Sequence, residues 1–216
     1  MNISFCFPLE PLELSCYPMA RNPRGICLII NNLVFHDEDT EDRYGAERDE
    51  EVLHLLFQEE LGFVVKVFHD LQYFEMQQVA EKFAELDHSN YDAFICIIMS
   101  HGGEKDTIEG VKGRKIYIEN ITSEFKPSKC PTLAEKPKVF IVQACRGRSE
   151  DQNLQPIHLT TADSAKSGLF KDSTLPRSVT PEESDFLYAF STVPGYVSLR
   201  FPGIGSPFIQ VSSNSS

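Results

Sequence analysis

Continuous apolar runs alternate with stripes of apolar residues spaced by three and four along most of this chain. Gly25-Ile26-Cys27-Leu28-Ile29-Ile30-Asn31-Asn32 is apolar nearly throughout, which predicts a strand covered on both faces. A charged loop, His36 to Arg43, follows it. Ala46 to Leu61 then carries Val52, Leu53, Leu56, Phe57 and Leu61 at helical spacing, with Gly62 as the stop. Phe63 to Phe68 predicts a second strand. Tyr73 to Leu86, with Met76, Val79, Ala80, Phe83 and Leu86 on one stripe, predicts a second helix. Ala93 to Met99 is a third apolar run.

Thr107 to Ile118 alternates around Gly110 and Gly113 and reads as a hairpin excursion. A short helical segment over Ile121 to Phe125 leads through a proline-rich turn into a fourth apolar run, which begins at Lys138 and ends on Cys145. The order β-α-β-α-β-α-β predicts an α/β fold: a mostly parallel central sheet with helices on both faces. From Arg146 to Glu182 the chain turns polar and aperiodic, the signature of a long functional loop or linker. Asp185 to Ser191 is again strand-like, and a Ser/Asn tail follows Phe208-Ile209-Gln210.

Composition narrows the function classes. At 216 residues with 41 % hydrophobic content, one globular domain is expected, and no apolar run approaches a membrane span. Residues Met1 to Ala20 lack the basic start and apolar stretch of a signal peptide. The formal net charge of −12 disfavours nucleic acid and anionic lipid as partners. The six cysteines show neither CxxC pairs nor metal-ligand spacing, so no metal and no cofactor are expected. Their scatter fits a reducing, cytoplasmic compartment.

Candidate chemistry lies at the ends of two apolar runs. Gln143-Ala144-Cys145-Arg146-Gly147 closes one, and Met99-Ser100-His101-Gly102-Gly103 closes the other. A thiol and an imidazole at equivalent ends of strands in one parallel sheet can act as nucleophile and proton partner. A lone cysteine or histidine is ordinarily structural; the paired placement, each with glycine close behind, singles these two out. The backbone N–H groups of Gly102 and Cys145 are candidate donors for a tetrahedral oxyanion.

These motifs resemble the caspase family, cysteine endopeptidases that cut after aspartate. The resemblance runs from about Tyr17 to Gln210. It includes Arg24-Gly25, Lys136-Pro137-Lys138-Val139, Asp185-Phe186-Leu187 and Ser191-Thr192-Val193-Pro194-Gly195-Tyr196. It implies a caspase-like three-layer sandwich, catalysis by His101 and Cys145, and a substrate aspartate held by Arg43, Arg200 and Gln143. It also implies a backbone carbonyl at Glu41 that orients the imidazole, and further subsites lined by Val197 and Leu199. Leu199, Phe201 and Pro207 differ from the family's usual residues, which implies a roomier second subsite and no strong demand for an acidic fourth residue.

The resemblance divides the chain into a short extension (1–16), a large-subunit-like region (17–145), an inter-subunit linker (146–182) and a small-subunit-like region (183–216). It implies a single-chain zymogen cut after Asp163 or Asp172, and protein substrates with Asp at the cleaved position. The last helix and sheet strand of the family have no counterpart after Gln210, so a C-terminally truncated chain is expected. The short start looks executioner-like, whereas Val197 resembles initiators. Two functions follow: an aspartate-directed endopeptidase of apoptotic or related signalling, for which the resemblance implies a homodimer or a heterodimer with another caspase, or an inactive regulator that binds a full-length caspase. A nucleotide-binding doubly wound domain is disfavoured, since no glycine-rich loop joins the first strand to the first helix.

Overall fold

The computed structural model describes residues 16–147 and 182–213. Five strands form one wholly parallel sheet: β1 (Gly25–Asn31), β2 (Val64–His69), β3 (Ala93–Met99), β7 (Lys138–Gln143) and β8 (Phe186–Phe190), in the order β2-β1-β3-β7-β8. Every residue of β1 and β3 is buried, as unbroken apolar runs require at the centre of a two-sided sheet. A small antiparallel sheet, β4 (Gly102–Gly103), β5 (Thr107–Glu109) and β6 (Lys115–Tyr117), rises directly behind β3 and realises the expected hairpin.

Helices cover both faces. On one, α2 (Tyr73–Ala84) and α3 (Ile118–Thr122) set Met76, Val79, Ala80, Ile118 and Ile121 against Ile26, Leu28, Ile30 and Ile98. On the other, α1 (Ala46–Leu55), the turn that follows it and α4 (Pro207–Ser213) set Leu53, Phe57 and Ile209 against Cys27, Ile29 and Ile97. Each such side chain contributes about 1.5–3 kcal/mol on burial, so the sheet is fixed from both sides. The stiff platform matters because it holds the ends of β1, β3 and β7 level with one another.

The structure departs from the periodicity at three ends. Helix α1 does not reach Leu61 in regular winding: Leu56–Glu60 widens to a π-type turn closed by Leu61 N–H on the Leu56 carbonyl at 2.9 Å. Helix α2 stops at Ala84, two residues short of the exposed Leu86, and His88 Nε2 hydrogen-bonds the Phe83 carbonyl at 2.8 Å. Helix α4 continues to Ser213, into what the sequence reads as tail.

Candidate active site

Parallel register brings the thiol and the imidazole to the same height. Met99 on β3 pairs with Gln143 on β7, so His101 and Cys145 each sit two residues beyond a matched pair. Ser100 N–H bonds the Gln143 carbonyl at 3.3 Å as the strands part. Gly102 then lies flat against Cys145: a Cβ there would fall 2.0 Å from the Cys145 carbonyl oxygen. Only glycine permits that approach. Cys145 and His101 line one cavity of about 150 Å³, with Ser100, Gln143, Ala144, Ser198 and Arg200. A larger cavity of about 440 Å³ between Tyr117, Thr122, Tyr188 and Phe190 carries no thiol or imidazole.

The loop after Cys145 is held by the other part of the chain. Arg146 N–H donates to the Tyr196 carbonyl at 3.0 Å, and Gly195 N–H donates to the Arg146 carbonyl at 2.7 Å. The Arg146 side chain reaches Asp106 at 2.7 Å and stacks 4.0 Å over the Phe190 ring. Ser198 N–H points at the Cys145 sulfur at 3.4 Å. The extended segment 197–200 alternates: Val197 and Leu199 are exposed, while Ser198 and Arg200 turn inward.

His101 Nε2 lies 2.8 Å from the Glu41 carbonyl, and Phe35 packs edge-on to the ring at 4.7 Å. A carbonyl can only accept, so Nε2 carries the proton and Nδ1 is left bare in the neutral ring. Burial, then the nearby Arg43 and Arg200 charges, lowers the His101 pKa, with the Glu41 bond opposing. The imidazole is therefore neutral at pH 7 and able to accept a proton.

Arg43 is 1 % exposed. Its Nη1 donates to the Asn32 carbonyl at 2.7 Å and to Asn31 Oδ1 at 3.2 Å, but Nε and Nη2 have no partner in the protein. Those two atoms form one edge of the guanidinium, the fork that grips a carboxylate with two parallel bonds. Burial, then Arg200, lowers the Arg43 pKa to about 9, against the pull of Asp49 and Cys145. The Arg200 pKa is likewise lowered by burial and raised by Asp49 and Cys145. A buried cation disfavoured by its own burial and by a second cation, beside a thiol, describes a cup built for an anion.

Gln143 differs from the expected trio of donors. Its Nε2 is engaged by Ser198 Oγ at 2.9 Å and the Leu199 carbonyl at 3.4 Å, which leaves Oε1 unpaired. The amide must turn over before it can donate to a carboxylate. Two residues of the site escape sequence reasoning. Ser198 lies two residues before Arg200, and the inward period-two position the two share was the available signal. Asp49 is fully buried on the apolar stripe of α1, where it accepts from Ser206 N–H (2.7 Å), Ser206 Oγ (2.5 Å) and Gln210 Nε2 (3.2 Å). A carboxylate on a core stripe was the signal there.

Comparison with known proteins agrees with this geometry. The family described as Caspase domain matches residues 24–212. The chain is 41 % identical to caspase-7 of Gallus gallus over 195 residues, covering 90 % of this chain and 60 % of that protein. It is 38 % identical to caspase-8 of Rattus norvegicus over 202 residues (90 % and 41 %) and 40 % identical to caspase-3 of Xenopus laevis over 186 residues (86 % and 61 %). The chain belongs to the caspase family. It spans less than two thirds of each of these caspases. The caspase-like sheet and its helices are thus in place; Asp163 and Asp172 lie outside the described residues. Among the described residues no group of side chains could hold a metal ion, and no helix is long and apolar enough to cross a membrane.

Proposed function

We propose that this chain is an aspartate-directed cysteine endopeptidase. The observation that carries the reading is the unpaired Nε/Nη2 edge of buried Arg43, in electrostatic reach of Arg200 and Cys145. The substrate aspartate places its carboxylate on that edge, with Arg200 as second cation. Nδ1 of His101 takes the Cys145 thiol proton, and the sulfur attacks the carbonyl carbon beside the aspartate. Backbone N–H groups of Gly102 and Cys145 receive the oxyanion. His101 returns the proton to the departing amine, and water then cleaves the thioester to release the acid and restore the thiol.

Exposed, apolar Val197, Leu199 and Phe201 border the entrance and favour apolar residues upstream of the aspartate. The protein acts in the cytoplasm as a zymogen of apoptotic or related signalling, cut in its linker after Asp163 or Asp172. A second reading has one observation in its favour. Among the described residues no strand pairs the outer edge of β8, where Leu187 is 59 % exposed. An open edge accepts another chain, so a regulator that docks on a second caspase would use it. Hydrolysis of matched peptides with Asp, Glu, Asn or Lys before the scissile bond separates these readings. Cleavage confined to Asp supports the peptidase, cleavage after Lys or Asn points to another protease class, and no cleavage at all favours the regulator.

A further inference from the structure

Asn31 ends β1 fully buried, and its register partner on β2 is His69. Paired positions in a parallel ladder share a face, so both side chains meet the underside of α1. Glu50 of α1 joins them. Its Oε2 accepts from Asn31 Nδ2 at 2.8 Å and from His69 Nε2 at 2.7 Å. Asn31 Oδ1 in turn accepts from Arg43 Nη1. An unbroken hydrogen-bonded chain thus runs from His69, whose side chain is 49 % exposed, through Glu50 and Asn31 to the arginine of the cup.

We propose that Glu50 and Asn31 are positioning residues that set the orientation of Arg43, with His69 holding the chain from the surface. This rests on the aspartate-directed reading of the site. An asparagine amide can face either way, and here its two ends have opposite tasks. Nδ2 is fixed by Glu50 and, more weakly, by the Ala46 carbonyl at 3.3 Å; Oδ1 is thereby turned to Arg43. Reversal would set an NH2 group against the guanidinium N–H, donor against donor. With Nη1 held by Asn31 and by the Asn32 carbonyl, the guanidinium plane is fixed and the Nε/Nη2 edge faces away unpaired. Glu50 therefore acts on substrate affinity without touching substrate.

The test uses the full chain and a chromogenic peptide ending in Asp, with kcat and KM measured separately. Glu50→Ala raises KM about fivefold, the net worth of one hydrogen bond, and leaves kcat within about twofold. Glu50→Gln keeps an oxygen for Asn31 Nδ2 and restores KM. His69→Ala, remote from the core, gives a smaller rise and keeps the test available if Glu50→Ala fails to fold. An unchanged KM in Glu50→Ala, a loss confined to kcat, or a Glu50→Gln variant as poor as Glu50→Ala overturns the proposal; for a misfolded Glu50→Ala, an unchanged KM in His69→Ala does so. Where the wild-type chain binds the peptide without turnover, its calorimetric Kd replaces KM. A wild-type chain that neither cleaves nor binds defeats the aspartate reading itself, and this proposal with it.

Discussion

Replacing Cys145 by alanine abolishes hydrolysis of aspartyl peptides, a loss on the order of 10⁴-fold or more in kcat. In the proposed reaction the chemistry passes through a covalent bond to this sulfur, and alanine offers no atom in its place. The remaining site still holds the substrate, since Arg43 and Arg200 are anchored by other contacts: Asn31, Asn32 and the Tyr44 carbonyl. KM for any residual turnover, or Kd for the uncleaved peptide, therefore stays within a few-fold of the parent. None of the other described cysteines lines the cavity that holds His101. Cys27, Cys96 and Cys130 are buried, and burial raises the pKa of each thiol, away from the reactive thiolate. Steady-state rates alongside peptide binding check both halves of the expectation.

Arg43→Met is expected to separate function from stability. Removing one member of a desolvated charge pair loses about 3–5 kcal/mol, which is about 10²–10⁴-fold in kcat/KM for aspartyl peptides. For the folded protein two consequences of the same change oppose each other. In the wild type two guanidinium nitrogens are buried without partners, and a neutral side chain of similar length removes that cost. Against that gain, the buried Asn32 carbonyl and Asn31 Oδ1 lose their Nη1 donor, so the variant melts close to the parent. Acidity offers an independent check. Burial and the Arg200 charge lower the pKa of free Arg43 to about 9, so kcat/KM is expected to be high below that pH and to decline as pH rises through it. The methionine variant lacks this alkaline limb. A variant that melts far lower, or that keeps the limb, contradicts the role given to Arg43.

The scaffold was legible because its causes are local. Unbroken apolar runs mark β1 and β3 as central strands, and the stripes of α1 and α2 show which faces pack. His101 and Cys145 were legible for the same reason: each follows an apolar run, and parallel register sets the two runs level. The cup was not legible in this way. Arg43 and Arg200 look like ordinary surface charges until the fold joins segments far apart in the chain, and only the resemblance to a family paired them. Asp49 stands on the apolar stripe of α1 and Glu50 beside it, and the fold carries one to Ser206 and the other to Asn31 and His69. Partners of this kind leave no periodic trace. The turned amide of Gln143 depends on Ser198, which is likewise remote in sequence.

In the proposed reaction one sulfur and one cationic cup act on the same bound residue. Rates of alkylation by a peptidyl fluoromethyl ketone ending in aspartate, against its asparagine counterpart, test it most directly, with the modified site read by peptide mass. The account predicts modification at Cys145 alone, and about 100-fold faster with the aspartyl reagent. Equal rates for the two reagents, or label on a different cysteine, would contradict it.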